Sequence, residues 1–204
     1  MPPALARALS KALNWIRLWG KPRHRRNVEA SRRVLARLAQ LPDEARALAY
    51  LRKIDPYLFE EVTLSILERR GCVVLRSRSY SGDGGFDGAF YWPGSGRCAV
   101  QCKRYSSAIS PSHARDFGAA LRGRLGLFAH TGRTGEASAE ALGSPGVHIL
   151  SGSDLARCAR DPGVDPLALA RARKGRSDSR AAAGQSRGGS KPGARRSRRG
   201  ASRG

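Results

Sequence analysis

Phe86-Asp87-Gly88-Ala89-Phe90-Tyr91, the turn Trp92-Pro93-Gly94-Ser95-Gly96, and Arg97-Cys98-Ala99-Val100-Gln101-Cys102-Lys103-Arg104 decide how this chain folds. Two β-prone runs flank a Pro/Gly turn, the pattern of a hairpin. With the turn centred near Gly94, paired positions sum to about 188, which sets Asp87 opposite Gln101 and brings Lys103 to the same face two residues on. Opposed Cβ atoms lie about 5 Å apart and diagonal ones about 7 to 8 Å, so a carboxylate, an amide oxygen and an ammonium can surround one divalent cation. A slip of one residue would turn one arm over and scatter the set. The run Ser81-Gly82-Asp83-Gly84-Gly85 leads into the first arm. Asp/Gly loops also make ordinary turns, and a Gln-x-Lys face is also an ordinary solvated sheet surface, so the hairpin alone leaves both readings open.

A further carboxylate comes from the best-marked helix of the chain, which begins with Asp55 as N-cap and Pro56 as its first residue and ends before Gly71. Glu61 has Ser65 and Glu68 at i+4 and i+7, which predicts a solvated face. Glu60 has Leu64 and Leu67 at those spacings and is predicted to lean toward the protein. A carboxylate beside an apolar stripe is costly unless a positive group meets it, and a metal or Lys103 is the available candidate.

Four ordered segments resemble the catalytic domain of the Mrr-like restriction endonucleases. They are Leu58-Phe59-Glu60-Glu61, Gly82-Asp83-Gly84-Gly85-Phe86-Asp87, Val100-Gln101-Cys102-Lys103-Arg104-Tyr105 and Arg115-Asp116-Phe117-Gly118-Ala119-Ala120-Leu121. The resemblance runs from about Leu51 to about Cys158 and implies the PD-(D/E)XK nuclease fold, an α/β restriction-endonuclease-like αβββαβ core with a central mixed sheet. It further implies that Asp87 is the metal-binding Asp, that Gln101 replaces the usual second acid, that Lys103 is the catalytic lysine and that Glu60 is the helix carboxylate. Mg²⁺ is the implied cofactor, held by Asp87, Gln101 and the Cys102 carbonyl. DNA is the implied partner, with Arg104 as a contact. The run His130-Thr131-Gly132-Arg133-Thr134 departs from the family's hydroxyl and aromatic pattern, so roles in that loop are not carried over.

Charge is concentrated at the two ends. The net charge is +22. Residues 1–40 hold 10 Lys/Arg against 1 Asp/Glu and residues 171–204 hold 12 against 1, while residues 41–170 hold 16 against 14. Basic ends around a nearly neutral centre fit a polyanionic partner followed along its backbone, with Arg195, Arg196, Arg198 and Arg199 as tail contacts. Basic Arg/Gly/Ser tails also occur as disordered solubilising segments, and residues 171–204 offer no apolar face on which to fold.

The organisation expected is a basic helical extension over 1–50, a nuclease domain over 51–162 and a disordered tail over 171–204. Helices are predicted over 43–53, 56–70, 110–122 and 135–142, with a last helix capped by Ser153. Strands are predicted over 72–80, the two hairpin arms, 125–131 and 147–150. Near the start, Leu5, Leu9, Ala12, Leu13, Ile16 and Trp19 share one helical face with Trp15 at its edge, opposite Arg7, Lys11, Asn14 and Arg17. This predicts an amphipathic helix that packs its apolar side on the domain, with a membrane surface as the alternative. No stretch is long enough to span a bilayer and no secretory cleavage pattern is present. Cys72, Cys98, Cys102 and Cys158 lack ligand spacing and read as reduced, buried thiols of a cytoplasmic protein. His24, His113, His130 and His148 read as surface or loop residues, with His113 and His130 within reach of phosphate.

The function these features support is a Mg²⁺-dependent DNA endonuclease with no small-molecule cofactor and no membrane contact. A homodimer is compatible with it. The alternative is a non-catalytic DNA-binding protein on a degenerate nuclease scaffold, and a third reading is a membrane-associated protein that uses the Trp15/Trp19 helix.

Overall fold

Asp55 accepts the N–H groups of Tyr57 and Leu58 and so starts helix α4 (Pro56–Arg69), with Pro56 in the first turn. The computed structural model describes residues 3–17, 22–77, 85–92 and 94–173. Three helices precede α4: α1 (Pro3–Arg17), α2 (Pro22–Ala39) and α3 (Glu44–Leu51), the last capped by Asp43. After it come β1 (Val73–Arg76), β2 (Gly88–Trp92), β3 (Gly96–Lys103), α5 (Pro111–Leu121), β4 (Leu125–His130), α6 (Glu136–Leu142), β5 (Val147–Leu150) and α7 (Gly152–Arg160). A further helical run covers 166–173.

The strands form one sheet in the order β1-β2-β3-β4-β5. The first three are antiparallel, and β3, β4 and β5 run parallel through the crossover helices α5 and α6. This is the expected αβββαβ order with αβα appended. Alternation of side chains sends Val74, Phe90, Val100, Leu127 and Leu150 to one face, where α4, α2 and α7 cover them with Phe59, Val62, Leu67, Leu38 and Leu155. Phe128 and Ile149 point to the other face and meet Phe117, Leu121 and Leu142 of α5 and α6. The N-terminal helix α2 thus shares the main core through Val34, Leu35 and Leu38.

Helix α1 docks the other way round from expectation. Ala6, Ser10 and Asn14 are buried, while Leu5, Leu9, Trp15 and Ile16 are exposed. The cause is the outer strand β1, whose free edge carries unpaired backbone groups. Ser10 Oγ takes the Val74 N–H at 2.8 Å and donates to the Cys72 carbonyl at 3.2 Å. Asn14 donates to the Val74 carbonyl at 2.7 Å and accepts the Arg76 N–H at 2.9 Å. Two small polar side chains therefore close the sheet edge, and their hydrogen bonds outrank burial of the apolar stripe.

Other departures are local. The last helix is capped by Ser151 rather than Ser153, in a capping box with Asp154. His24 and His130 are buried rather than at the surface. β1 ends at Arg76, short of the predicted 72–80 strand, and residues 78–80, the Asp83 loop, Trp19 and the Arg195, Arg196, Arg198 and Arg199 tail lie outside the described residues. No helix among the described residues is long and apolar enough to cross a membrane.

Candidate active site

The ladder between β2 and β3 pairs Gly88 with Val100 and Trp92 with Gly96, the predicted register. At the open end it shifts. Asp87 donates its N–H to the Val100 carbonyl at 2.9 Å, so Asp87 and Gly88 both meet Val100, one residue out of the expected Asp87–Gln101 opposition. Two residues against one is the geometry of a bulge, which re-aims a side chain at the end of a pairing. Asp87 Oδ2 accordingly accepts the Cys102 N–H at 2.6 Å. Gly88 keeps this corner tight: a Cβ there would stand 2.9 Å from the Leu75 carbonyl and 3.1 Å from Leu64 of α4.

Gln101 donates Nε2 to the Gly85 carbonyl at 2.7 Å, which ties the incoming loop to β3 and leaves Oε1 as the amide's donor atom for a cation. Gly85 itself sits at φ +84°, a left-handed conformation that glycine holds without strain. On α4, Glu60 is half-buried, and burial first, then the negative charges of Asp87 and Glu61, push its carboxyl up to about 8 while Lys103 pulls it down. Burial likewise raises Asp87 to about 6, against the Cys102 N–H and Lys103, which favour the carboxylate. Glu60, Asp87 and Lys103 thus lie within one another's fields, and Gln101 and Cys102 adjoin them.

Two desolvated carboxyls beside one ammonium, with one amide oxygen and backbone carbonyls nearby, suit a small hard cation that keeps several waters. Among the described residues there is no group of three or more His, Cys, Asp or Glu that could hold a metal. Arg104 is exposed, and its Nη1 donates to the Arg52 carbonyl at the end of α3.

Glu61 was expected on a solvated face, and the structure corrects this. It is 2 % exposed and pairs with Arg76 Nε at 2.8 Å, with His24 Nδ1 at 3.4 Å. Arg76 also reaches Glu68 and Ser65, each at 3.2 Å. The polar stripe of α4 is therefore an internal ionic knot held between α2 and β1, and Glu60 is the carboxylate of α4 that faces Asp87 and Lys103 of the hairpin. His130 has no access to solvent, and burial pushes it down to about 4, so it stays neutral and does not face phosphate. Burial also pushes the thiols of Cys72, Cys98 and Cys158 up to about 12.

Gln101 and Lys103 of the same site also line a cleft of about 190 Å³, closed on the α5 side by His113, Asp116 and Phe117. Sequence reading missed Asp116 and the pairing of Tyr105 with His113, whose phenol oxygen and Nδ1 lie 2.7 Å apart. The sequence had put His113 within reach of phosphate and Asp116 in one of the resembling segments, and their spacing sets both on one helical turn.

A five-stranded mixed sheet of this order, with the Asp and Lys at one end of its hairpin, is a restriction-endonuclease-like fold. The restriction endonuclease family model Mrr_cat matches residues 51–159, more than half of the chain, and the chain belongs to that family. Among solved structures it is similar to the MspJI restriction endonuclease in complex with a 27-mer oligonucleotide, at 25% identity and a TM-score of 0.44. The match covers 64% of this chain and 35% of that one, so the chain spans about a third of that protein. No curated protein matches.

Proposed function

We propose that the chain is a Mg²⁺-dependent DNA endonuclease that hydrolyses phosphodiester bonds, a type IV, Mrr-like activity. The observation that carries this reading is the grouping of Asp87, Glu60 and Lys103 at the open end of the hairpin in a restriction endonuclease family member. Bound Mg²⁺ would supply positive charge at the scissile phosphate and acidify an attacking water. Asp87 keeps one oxygen on the Cys102 N–H, which orients the carboxylate and leaves the other oxygen for the ion. The Gln101 oxygen and the Cys102 carbonyl would be the neutral donors, and Glu60 would face the ion as a carboxylate beside Asp87. Lys103 holds the water in line with the leaving oxygen and meets charge that develops on the phosphate.

DNA is the substrate that fits the charge distribution, with basic ends that follow the backbone and a nearly neutral core for the chemistry. The free, buried cysteines fit a reducing cytoplasm. One catalytic set per chain cuts one strand at a time, so a homodimer would serve duplex cleavage. The amide at Gln101 favours a second reading, a DNA-binding protein on a scaffold that no longer cuts. Incubation of the full chain with supercoiled plasmid separates the two. The nuclease yields relaxed circles with Mg²⁺ and none with EDTA, whereas a binding protein retards the plasmid and leaves it supercoiled in both.

A further inference from the structure

The Tyr105–His113 pair stands at the cleft without a part in the chemistry described above. His113 opens the first turn of α5, is exposed, and lines the cleft together with Lys103 and Gln101. Tyr105 leaves β3 two residues after Lys103 and is anchored by its backbone. Its N–H goes to Thr131 Oγ1 and its carbonyl accepts the same hydroxyl, both at 2.8 Å. Thr131 is itself buried, and its carbonyl is held by Arg52 Nε at 3.0 Å and Nη2 at 2.9 Å. The phenol that reaches His113 Nδ1 at 2.7 Å therefore stands on a fixed backbone.

The direction of that bond follows from the surroundings of the phenol. Burial raises the Tyr105 hydroxyl above its ordinary value, so it keeps its proton at neutral pH. That proton bonds His113 Nδ1, the ring nitrogen 2.7 Å from the phenol oxygen. An imidazole that accepts at Nδ1 carries its hydrogen on Nε2, which makes Nε2 a donor. The charged and titratable groups beside it in the cleft are Lys103, a cation, and Asp116, an anion one helical turn away.

We propose that His113 is a further substrate-contacting residue, donating from Nε2 to a phosphate oxygen of DNA on the α5 side of the cleft, and that Tyr105 is the positioning residue that sets its tautomer. The identity of the ligand rests on the nuclease reading. An oriented N–H donor beside the lysine gives a phosphate diester two partners for its non-bridging oxygens, one from each side chain. Asp116 narrows the choice, since it disfavours a free dianion and tolerates a diester of single charge held by Lys103 and His113.

The test uses the full chain labelled with ¹⁵N-histidine, in EDTA, titrated with a short DNA duplex. The His113 imidazole signals are identified by their loss in His113→Gln. Two-bond ¹H–¹⁵N spectra are expected to show the Nε2–H tautomer in the free protein and a shift of Nε2 on saturation with duplex. Tyr105→Phe is expected to lose the tautomer preference and retain the fold by its circular dichroism. In plasmid nicking, His113→Ala is expected to lower kcat/KM by about tenfold to a hundredfold, and Tyr105→Phe by less. A His113 signal that does not move with saturating duplex overturns the proposal, as does His113→Ala nicking at the parent's rate. A parent that fails to nick while its His113 signal shifts with duplex sinks the nuclease reading and leaves the phosphate contact standing.

Discussion

Gln101 shows how one residue's hydrogen bond changes what its substitution should do. On charge alone, Gln101→Glu would restore a missing ligand and tighten metal binding. In the structure the amide nitrogen donates to the Gly85 carbonyl at 2.7 Å, and a carboxylate there would set oxygen against oxygen while adding a third acid beside two already raised. Gln101→Glu is therefore expected to raise the Mg²⁺ concentration needed for half-maximal nicking, and a fall in that concentration would show that ligand charge dominates. His130 gives a pH test of the core. Its folded value of about 4 lies below the ordinary 6.5, so between those values the unfolded chain binds a proton that the folded chain does not. Its contribution is thus fully present above about pH 6.5 and is lost as pH falls toward 4. The stability difference between the parent and His130→Gln is expected to change by about 3 kcal/mol across that window in urea titrations, and to be flat in pH if His130 is already protonated in the fold.

At the scale of elements, what the sequence made legible was what periodicity determines. The hairpin register follows from period two and a Pro/Gly turn, and the pairing of Gly88 with Val100 has the predicted offset. The bulge at Asp87 did not follow, because it depends on the close approach of α4 over Gly88, which no local pattern encodes. Periodicity likewise marks a polar stripe on α4 without saying what faces it. Glu61, Ser65 and Glu68 read as solvated because Arg76 sits on the next element, inside an apolar run. Arg76→Met is expected to cost about 3–5 kcal/mol in urea titrations, since it strips the guanidinium from two buried carboxylates and leaves Glu61 with His24, and a loss under about 1 kcal/mol would mean that water enters the knot. The same lesson holds for α1, where Ser10 and Asn14 took the inner side. Asn14→Ala is expected to cost about 1–3 kcal/mol and to speed exchange of the Arg76 amide, while an unchanged exchange rate would remove α1 from the sheet edge.

At the scale of the whole molecule, a nearly neutral core carries basic ends. The last helical run extends through Arg173, which bonds Asp154, and Arg171 lies 5.1 Å from the Trp92 ring centroid, so a cut after Arg173 spares groups that serve the fold. Residues 174–204 contain 10 Lys/Arg. If half touch phosphates, their deletion should shrink the slope of log K against log salt by about 4 to 5, with turnover at saturating DNA unchanged. An unchanged slope would make the tail a bystander. The central claim is narrower, that Asp87 and Lys103 together perform Mg²⁺-dependent strand scission. The measurement that meets it most directly is nicking of supercoiled plasmid in Mg²⁺ by the parent, Asp87→Ala and Lys103→Ala at equal DNA occupancy. The account predicts relaxed circles from the parent, a loss of at least about a hundredfold in each variant, and DNA binding near the parent's in both. Parent-level nicking by either variant would contradict it.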